Sequence, residues 1–389
     1  MRVAHVITRM IVGGAQENTL YNCLDLIREH GDDVLLITGP ALGPEGDLLT
    51  QGRGEGLPVR YIESLRRNIH PWRDVTSYWE LKRVLREYRP DVVHTHSAKG
   101  GWLGRIAATR LGVRAVVHTV HGAPFHSFQS PMARHLFRWC EWFAARNCHR
   151  LVSVADAMTD LMVKGRVAPS SKFTTIYSGM DVEPFLAADL RRDEYRRRLG
   201  VNEQTVVVGK IARLFHLKGH EYLIEAARDV IQKAPHVKFL LVGDGVLREK
   251  LEQQIARYGL TDHFLFVGLV PPEEIPHWIG AMDILVHTSL REGLARALPQ
   301  ALISGRPAVS FDIDGAREVV IADETGVLVE PCDVEGLALG LIRLANDPVA
   351  RQRMGGEGRR RFTESFRHQT MTRRLKELYE ELLAQNTPI

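Results

Sequence analysis

Arg213 and Lys218 are five residues apart at the end of an apolar run, 206–211. An arginine offers a planar fork of donors and a lysine a compact point charge, so the pair suits a diphosphate. The same two cations would also be ordinary on a surface. A second stretch, Arg291-Glu292-Gly293, precedes apolar residues at helical spacing. It predicts a glycine turn and a helix beginning near Ala295 or Arg296, because Pro299 is tolerated only in a first turn. The backbone N–H groups of Leu294, Ala295 and Arg296 would then face an anion, with Gly293 allowing close approach. An ordinary strand–helix–strand crossover explains this stretch equally well. Gly243, and Gly268 followed by Leu269, end two more apolar runs. They read as plain turns or as places where a flat base lies on backbone.

The N-terminal half carries Gly13-Gly14 with Gln16, then His94-Thr95-His96, then His121-Gly122. Strand alternation places His94 and His96 on one face. Such a pair can bind a metal, but the sequence supplies no obvious third ligand. His121 stands on a glycine turn after an apolar run, which suits a structural histidine or a polar substrate contact or base.

Several chemistries are excluded or discounted. There is no GxxxxGK[ST] phosphate loop, no GxSxG elbow and no GxGxxG fingerprint, and His220-Glu221 lacks the second histidine of a zinc hydrolase. Asp312-Ile313-Asp314 has the form of a metal-binding DxD but follows a late strand. Cys23, Cys140, Cys148 and Cys332 are scattered, so neither a disulfide frame nor a zinc knuckle is implied. A net charge of +4 permits an anionic substrate or a membrane surface and requires neither. The basic runs 191–192, 196–198 and 359–361 read as solvated helix faces, without the interleaved aromatics of a nucleic-acid binder. No apolar run is long enough to span a bilayer, and the N-terminus enters a strand pattern directly, so a cytoplasmic protein is expected.

These residues need elements to position them. A length of 389 residues suggests two or three domains. Strands are predicted at 3–7, 34–38, 59–62, 92–94, 115–120 and 151–154, most of them separated by helices such as 74–87, 101–111 and 132–147. After Gly200 the alternation restarts, with strands at 206–211, 239–242, 264–267, 284–287, 308–311 and 326–329. Two α/β halves with parallel sheets follow, joined near 180–200. An amphipathic helix at 366–384 ends the chain.

Taken together the motifs resemble a retaining glycosyltransferase of family 4. Gly13-Gly14-Ala15-Gln16 is similar to that family's GGxE/Q turn. Asp91-Val-Val-His-Thr-His96 and Thr119-Val-His121-Gly122 are similar to its next two signatures. Ser178-Gly179-Met180-Asp181 with Phe185 is similar to its NGxD linker, with serine in place of asparagine. Gly209 to Arg213 with Lys218-Gly219, Glu292-Gly293 and Glu318 complete the series across nearly the whole chain. The resemblance implies the GT-B fold, two Rossmann-like domains with parallel sheets facing a central cleft. Residues 1–185, with helix 366–386 crossing back, would bind the acceptor, and residues 200–365 the donor.

It further implies metal-independent transfer, with retention, from a nucleotide-diphosphate sugar, UDP- or GDP-linked. The acceptor would be a glycan, a lipid-linked sugar or a small molecule, in envelope or exopolysaccharide synthesis. No cofactor and no nucleic acid are expected, and peripheral contact with the inner membrane face is allowed. Arg213, Lys218, Glu292 and His121 would carry catalysis. Gly13, Gly14, Gln16, His96, Gly243, Gly268, Leu269, Gly293, Leu294, Ala295 and Gln300 would contact substrates. One departure stands out: the family's Glu-x7-Glu has Gln300 at its second position. A neutral amide holds a ribose diol less strongly than a carboxylate does. A nucleotide-sugar 2-epimerase of the same architecture, or a degenerate binding protein, are the other readings.

Overall fold

The computed structural model describes residues 1–42, 46–50, 54–126 and 129–385. Short runs rich in Val, Ile and Leu, buried on both faces, form parallel strands, and the polar-faced segments between them form helices that cover the sheets. The chain divides into two units, Met1–Met180 with Ser365–Ile389, and Asp181–Glu364.

In the first unit the strands are β1 (Arg2–Arg9), β2 (Asp33–Gly39), β3 (Val59–Tyr61), β4 (Val92–His96), β5 (Ala115–Val120), β6 (Arg150–Ser153) and β7 (Phe173–Thr175). They pair in parallel in the order β3-β2-β1-β4-β5-β6-β7. The sequence does not announce β7, whose only buried residue is Phe173. The helices are α1 (Gly14–Arg28), α2 (Pro71–Tyr88), α3 (Ala98–Arg110), α4 (Pro131–Ala145) and α5 (Asp156–Lys164). Pro71 and Pro131 open α2 and α4, where a missing N–H costs nothing, and His70 and Ser130 cap them.

The second unit opens with short α6 (Glu183–Leu186) and α7 (Arg192–Arg198). It continues with β8 (Val206–Ile211), α8 (His220–Lys233), β9 (Val237–Val242), α9 (Arg248–Arg257), β10 (Phe264–Gly268), α10 (Ile275–Ala281) and β11 (Ile284–His287). The rest is α11 (Ala297–Ile303), β12 (Ala308–Phe311), β13 (Gly326–Val329), α12 (Val334–Asn346) and α13 (Pro348–Phe362). Its six strands run β10-β9-β8-β11-β12-β13. The last helix, α14 (His368–Gln385), belongs to the first unit. There Met371, Leu375, Leu378 and Leu382 share a core with Leu20 and Leu24 of α1. Asp25 accepts from His368 and Thr372, and Asp32 holds Lys376 at 2.7 Å.

Two expectations are corrected. Residues 181–199 are part of the second unit rather than a linker, and the first unit's main segment ends at Met180 rather than 185. The basic run there is solvated only in part: Arg191, Arg197 and Arg198 are exposed, but Arg192 and Arg196 turn inward. Arg196 is buried, donating to the carbonyls of Ala281, Asn202 and Thr205 and to Asp283 at 3.1 Å. Arg192 binds the other oxygen of Asp283 at 2.6 Å. The charge density that suggested solvent instead supplies the many donors needed to satisfy converging carbonyls.

Removing the Arg196 side chain leaves a partly buried carboxylate and three carbonyls short of donors. Arg196→Ala is expected to cost about 3–5 kcal/mol in urea unfolding of the second unit. A loss below about 1 kcal/mol, the scale of an exposed pair, would contradict this account.

Candidate active site

In each sheet the strand order reverses once, between β1 and β4 and between β8 and β11. Helices leave to opposite faces on either side of such a point, opening a crevice at the C-terminal strand ends where ligands bind. The predicted residues gather at these two places, one set in each unit.

In the second unit, β8 ends at Ile211 and leads through Arg213 to Lys218, while β11 ends at His287 and leads to Glu292. Lys218 Nζ bonds Glu292 Oε1 directly. The Nε2 of buried His287 lies 3.8 Å from the same oxygen. Burial raises the Glu292 pKa, but the His287 imidazole and the Lys218 charge outweigh it and hold the carboxyl at about 2. The two loops are fastened together. Thr288 Oγ1 donates to the Gly219 carbonyl at 2.6 Å and the Leu290 amide donates to Leu217 at 2.8 Å. Gly219 has φ +65, and a Cβ there would lie 1.8 Å from the Thr288 oxygen. Arg213 is exposed, its guanidinium 5.0 Å over the Phe215 ring.

Gly243 and Gly268 sit side by side at the ends of β9 and β10, the Gly243 amide donating to the Gly268 carbonyl at 2.9 Å. A Cβ on Gly243 would meet the Ala212 carbonyl at 2.2 Å, so β9 can pass the Arg213 loop only without a side chain. Leu269 projects into solvent. The α11 helix begins at Ala297, later than expected, because Gly293 to Arg296 form an irregular turn. The amides of Leu294 and Ala295 on that turn have no partner among the described residues. Gln300 lies half-buried in the first turn of α11. Both aspartates of the DxD are engaged: Arg317 grips Asp312 at 2.6 and 2.8 Å, and Asp314 accepts from the Glu292 amide at 2.6 Å.

At the first unit's reversal, Gly13 caps α1 and Gly14 and Gln16 lie in its first turn. The histidines form a chain. His5 Nδ1 lies 3.1 Å from His96 Nε2, and His96 Nδ1 lies 3.1 Å from His121 Nε2. His94 bonds Thr119 Oγ1 at 2.7 Å and the hydroxyl of Tyr379 on α14. His96 is therefore not a direct substrate contact: it is fully buried and both ring nitrogens are spent on other imidazoles. The third histidine that the sequence did not supply is His5, brought beside His94 and His96 by the pairing of β1 with β4. His5 Nε2 is buried without a partner among the described residues. A proton there would be an orphan donor, so the favoured polarity runs from His5 Nδ1–H to His96 and from His96 Nδ1–H to His121.

Two profiles match the chain. "Glycosyl transferase 4-like domain" covers residues 14–179 and "Glycosyl transferases group 1" covers residues 191–361. The chain is 30% identical to an Escherichia coli protein named UDP-Gal:alpha-D-GlcNAc-diphosphoundecaprenol alpha-1,3-galactosyltransferase, over 98% of this chain and 97% of the relative. This chain is a GT-B glycosyltransferase of the family-4 type. It is also 22% identical to the capsular polysaccharide glycosyltransferase CapM of Staphylococcus aureus, over 93% of each. Anabaena HepE, solved with UDP, shares the fold with a TM-score of 0.81, at 22% identity over 98% of this chain and 99% of that one. None of these relatives supports the epimerase reading.

Sequence reasoning missed two features of this glycosyltransferase. Besides His5 there is Lys210, fully buried in β8, with Nζ 2.9 Å from Thr288 Oγ1. Burial, with Lys218 nearby, pushes its pKa down to about 7. The available signal was a lone lysine inside an otherwise apolar strand.

Burial holds His5 at about 3 and His94, His96 and His118 well below 6.5. The unfolded chain protonates each near pH 6.5 while the folded chain does not, so their stabilisation is complete above that pH and lost as the pH falls. Each contributes a slope of about 1.36 kcal/mol per pH unit, for His5 from about 6.5 down to about 3. Five of the six tryptophans lie in the first unit, so urea unfolding followed by tryptophan fluorescence reports it. Stability is expected to fall steeply from pH 6.5 to pH 5; a flat profile would contradict the neutral cluster.

Proposed function

We propose that this glycosyltransferase moves a sugar from a nucleotide diphosphate to a lipid-linked sugar at a membrane surface, with retention and without a divalent metal. The observation that carries the donor half is the second unit's strand reversal. There Lys218 and the unpaired amides of Leu294 and Ala295 accompany Arg213 and a charged Glu292. The acceptor half draws on the Escherichia coli relative, whose name gives UDP-galactose as donor and a diphosphoundecaprenol-linked sugar as acceptor. UDP sugars are accordingly the first candidates. No helix among the described residues is long and apolar enough to cross a membrane, so the contact proposed is peripheral.

The bond between the anomeric carbon and the diphosphate oxygen breaks, and one to the acceptor oxygen forms on the same face. Negative charge grows on the leaving diphosphate. Arg213, Lys218 and the two amides stabilise it in place of a metal. The acceptor hydroxyl passes its proton to the departing phosphate oxygen. Glu292, charged at neutral pH, accepts hydrogen bonds from the transferred sugar's hydroxyls. In the first unit, His121 is the polar contact offered to substrate, its orientation set by His96. Gln300 accepts one hydrogen bond from the ribose, with Gly243 and Gly268 beside the base.

A thermal-shift screen with UDP, GDP and ADP identifies the nucleotide, since a ligand at 100 times its Kd adds about 2.7 kcal/mol. With the donor so found, Arg213→Ala and Lys218→Ala are each expected to lower kcat/KM well over tenfold. A bond to a charged group is worth about 1.5–3 kcal/mol, and about 1.36 kcal/mol is tenfold in rate. Glu292→Ala should match them, while Gln300→Ala should mainly raise the donor KM. Near-normal kcat/KM in both cation variants would remove the donor from this site. Loss of turnover in EDTA, restored by manganese, would refute metal independence.

Lys210 generates a separate prediction. A bound diphosphate raises the pKa of the buried ammonium from about 7. Calorimetry of UDP binding at pH 8, in buffers of different ionisation enthalpy, should show proton uptake that Lys210→Met abolishes. Uptake unchanged in that variant would assign the proton elsewhere.

A further inference from the structure

The first unit contains a cavity of about 650 Å³ between α2, α3 and α4, within the range that holds a sizeable organic ligand. Its lining is of two kinds. Arg9 and Ser97 come from the ends of β1 and β4 and Gln16 from α1, whereas Trp102, Leu103 and Phe137 come from α3 and α4. Most of its charges cancel: Lys99 binds Asp74 at 2.6 Å and Glu141 binds Arg105 at 3.2 Å. Two cations are left over. Arg9 donates to the Leu42 carbonyl at 2.5 Å, and Arg67 meets no carboxylate among the described residues. The indole N–H of Trp102 is buried and has no acceptor among those residues. The cavity thus offers an anion two guanidinium groups and an N–H, beside an apolar wall.

The surface outside is unusual. On α4, Met132, Leu136, Trp139 and Phe143 recur at helical spacing and are exposed. On and before α2, Ile69, Trp72 and Trp79 are exposed as well, Trp72 by 80%. Arg134 and Arg138 on α4, and Lys82 and Arg83 on α2, lie among them. Tryptophan with arginine and lysine around an apolar stripe is the composition of a face that lies in the headgroup layer of an anionic bilayer. Packed α2, α3 and α4 carry both the stripe and the cavity walls.

We propose that this cavity seats the phosphate end of a lipid acceptor. Arg9 and Arg67 hold its diphosphate, and its hydrocarbon chain runs along Trp102 and Phe137 to the α2–α4 face resting on the bilayer. The inference rests on the reading of the acceptor as a lipid-linked sugar, and specifies where this chain holds it.

The test is titration calorimetry of the full chain, with UDP saturating so that the donor site is occupied. Farnesyl diphosphate is compared with inorganic pyrophosphate and a short-chain phosphatidylglycerol. Farnesyl diphosphate should bind at least tenfold more tightly than either. Cys140→Trp, which fills the cavity, should weaken farnesyl diphosphate at least tenfold and leave the UDP-induced thermal shift intact. Ile69→Asp, at an exposed position that does not threaten folding, should weaken it severalfold, and Arg67→Ala should weaken both diphosphates. Equal binding of farnesyl diphosphate and pyrophosphate, or indifference to both Cys140→Trp and Ile69→Asp, overturns the proposal. Equal binding of phosphatidylglycerol overturns the acceptor assignment in favour of bulk lipid. Transfer assays using one sugar diphosphate on an undecaprenyl chain and on a methyl group separate the two levels. A wild type indifferent to the chain sinks the lipid-acceptor reading itself. A chain preference that survives Cys140→Trp sinks only the cavity.

Discussion

Every functional feature of this protein depends on one constraint of parallel sheets, the reversal of strand order. Two adjacent strands must send their chains to opposite faces, and the backbone between them cannot be covered by either helix. In the second unit that gap lies between β8 and β11. The loops leaving them would splay apart if nothing tied them. Thr288 ties them by bridging the Lys210 ammonium to the Gly219 carbonyl. That fastening brings Lys218 to Glu292, residues 74 positions apart in sequence.

The same geometry explains the charge states. Glu292 stays ionised because His287 and Lys218 outweigh the effect of its burial, whereas Lys210, fully buried in β8, loses much of its charge to burial. The site therefore combines a fixed anion, a fixed cation and a lysine whose charge is set by its surroundings. A dianionic ligand entering such a site completes its neutralisation rather than opposing it.

The first unit handles polarity differently. Its buried histidines are kept neutral and bonded to one another and to neighbouring hydroxyls, so the sheet contains polar groups without burying charge. Tyr379 of α14 closes the cluster on one side and His121 opens it on the other. The terminal helix is thus part of the wall behind an edge residue as well as a cover for the hydrophobic core. On its outer side this unit leaves aromatic residues exposed, an arrangement that costs solubility unless another surface covers it.

The sequence by itself determined the strand and helix alternation, because apolar period and glycine punctuation are local. It located twelve of the thirteen strands found among the described residues, missing only β7, whose three residues carry too little apolar signal. It also placed Arg213, Lys218, Glu292 and His121 at strand ends, since those motifs lie next to the runs they terminate. Tertiary structure alone decided which of these ends meet. His5 became the third member of the histidine cluster only through the pairing of β1 with β4, a long-range contact with no local trace. His96 looked available in sequence and is enclosed in fact, because burial depends on what packs above a strand. Arg196 looked solvated and is buried, because its partners are carbonyls from two separate segments, the 202–205 loop and the end of α10. Local chemistry is written in residue types and spacing; exposure, partner and charge state are properties of neighbours that only the folded chain brings together.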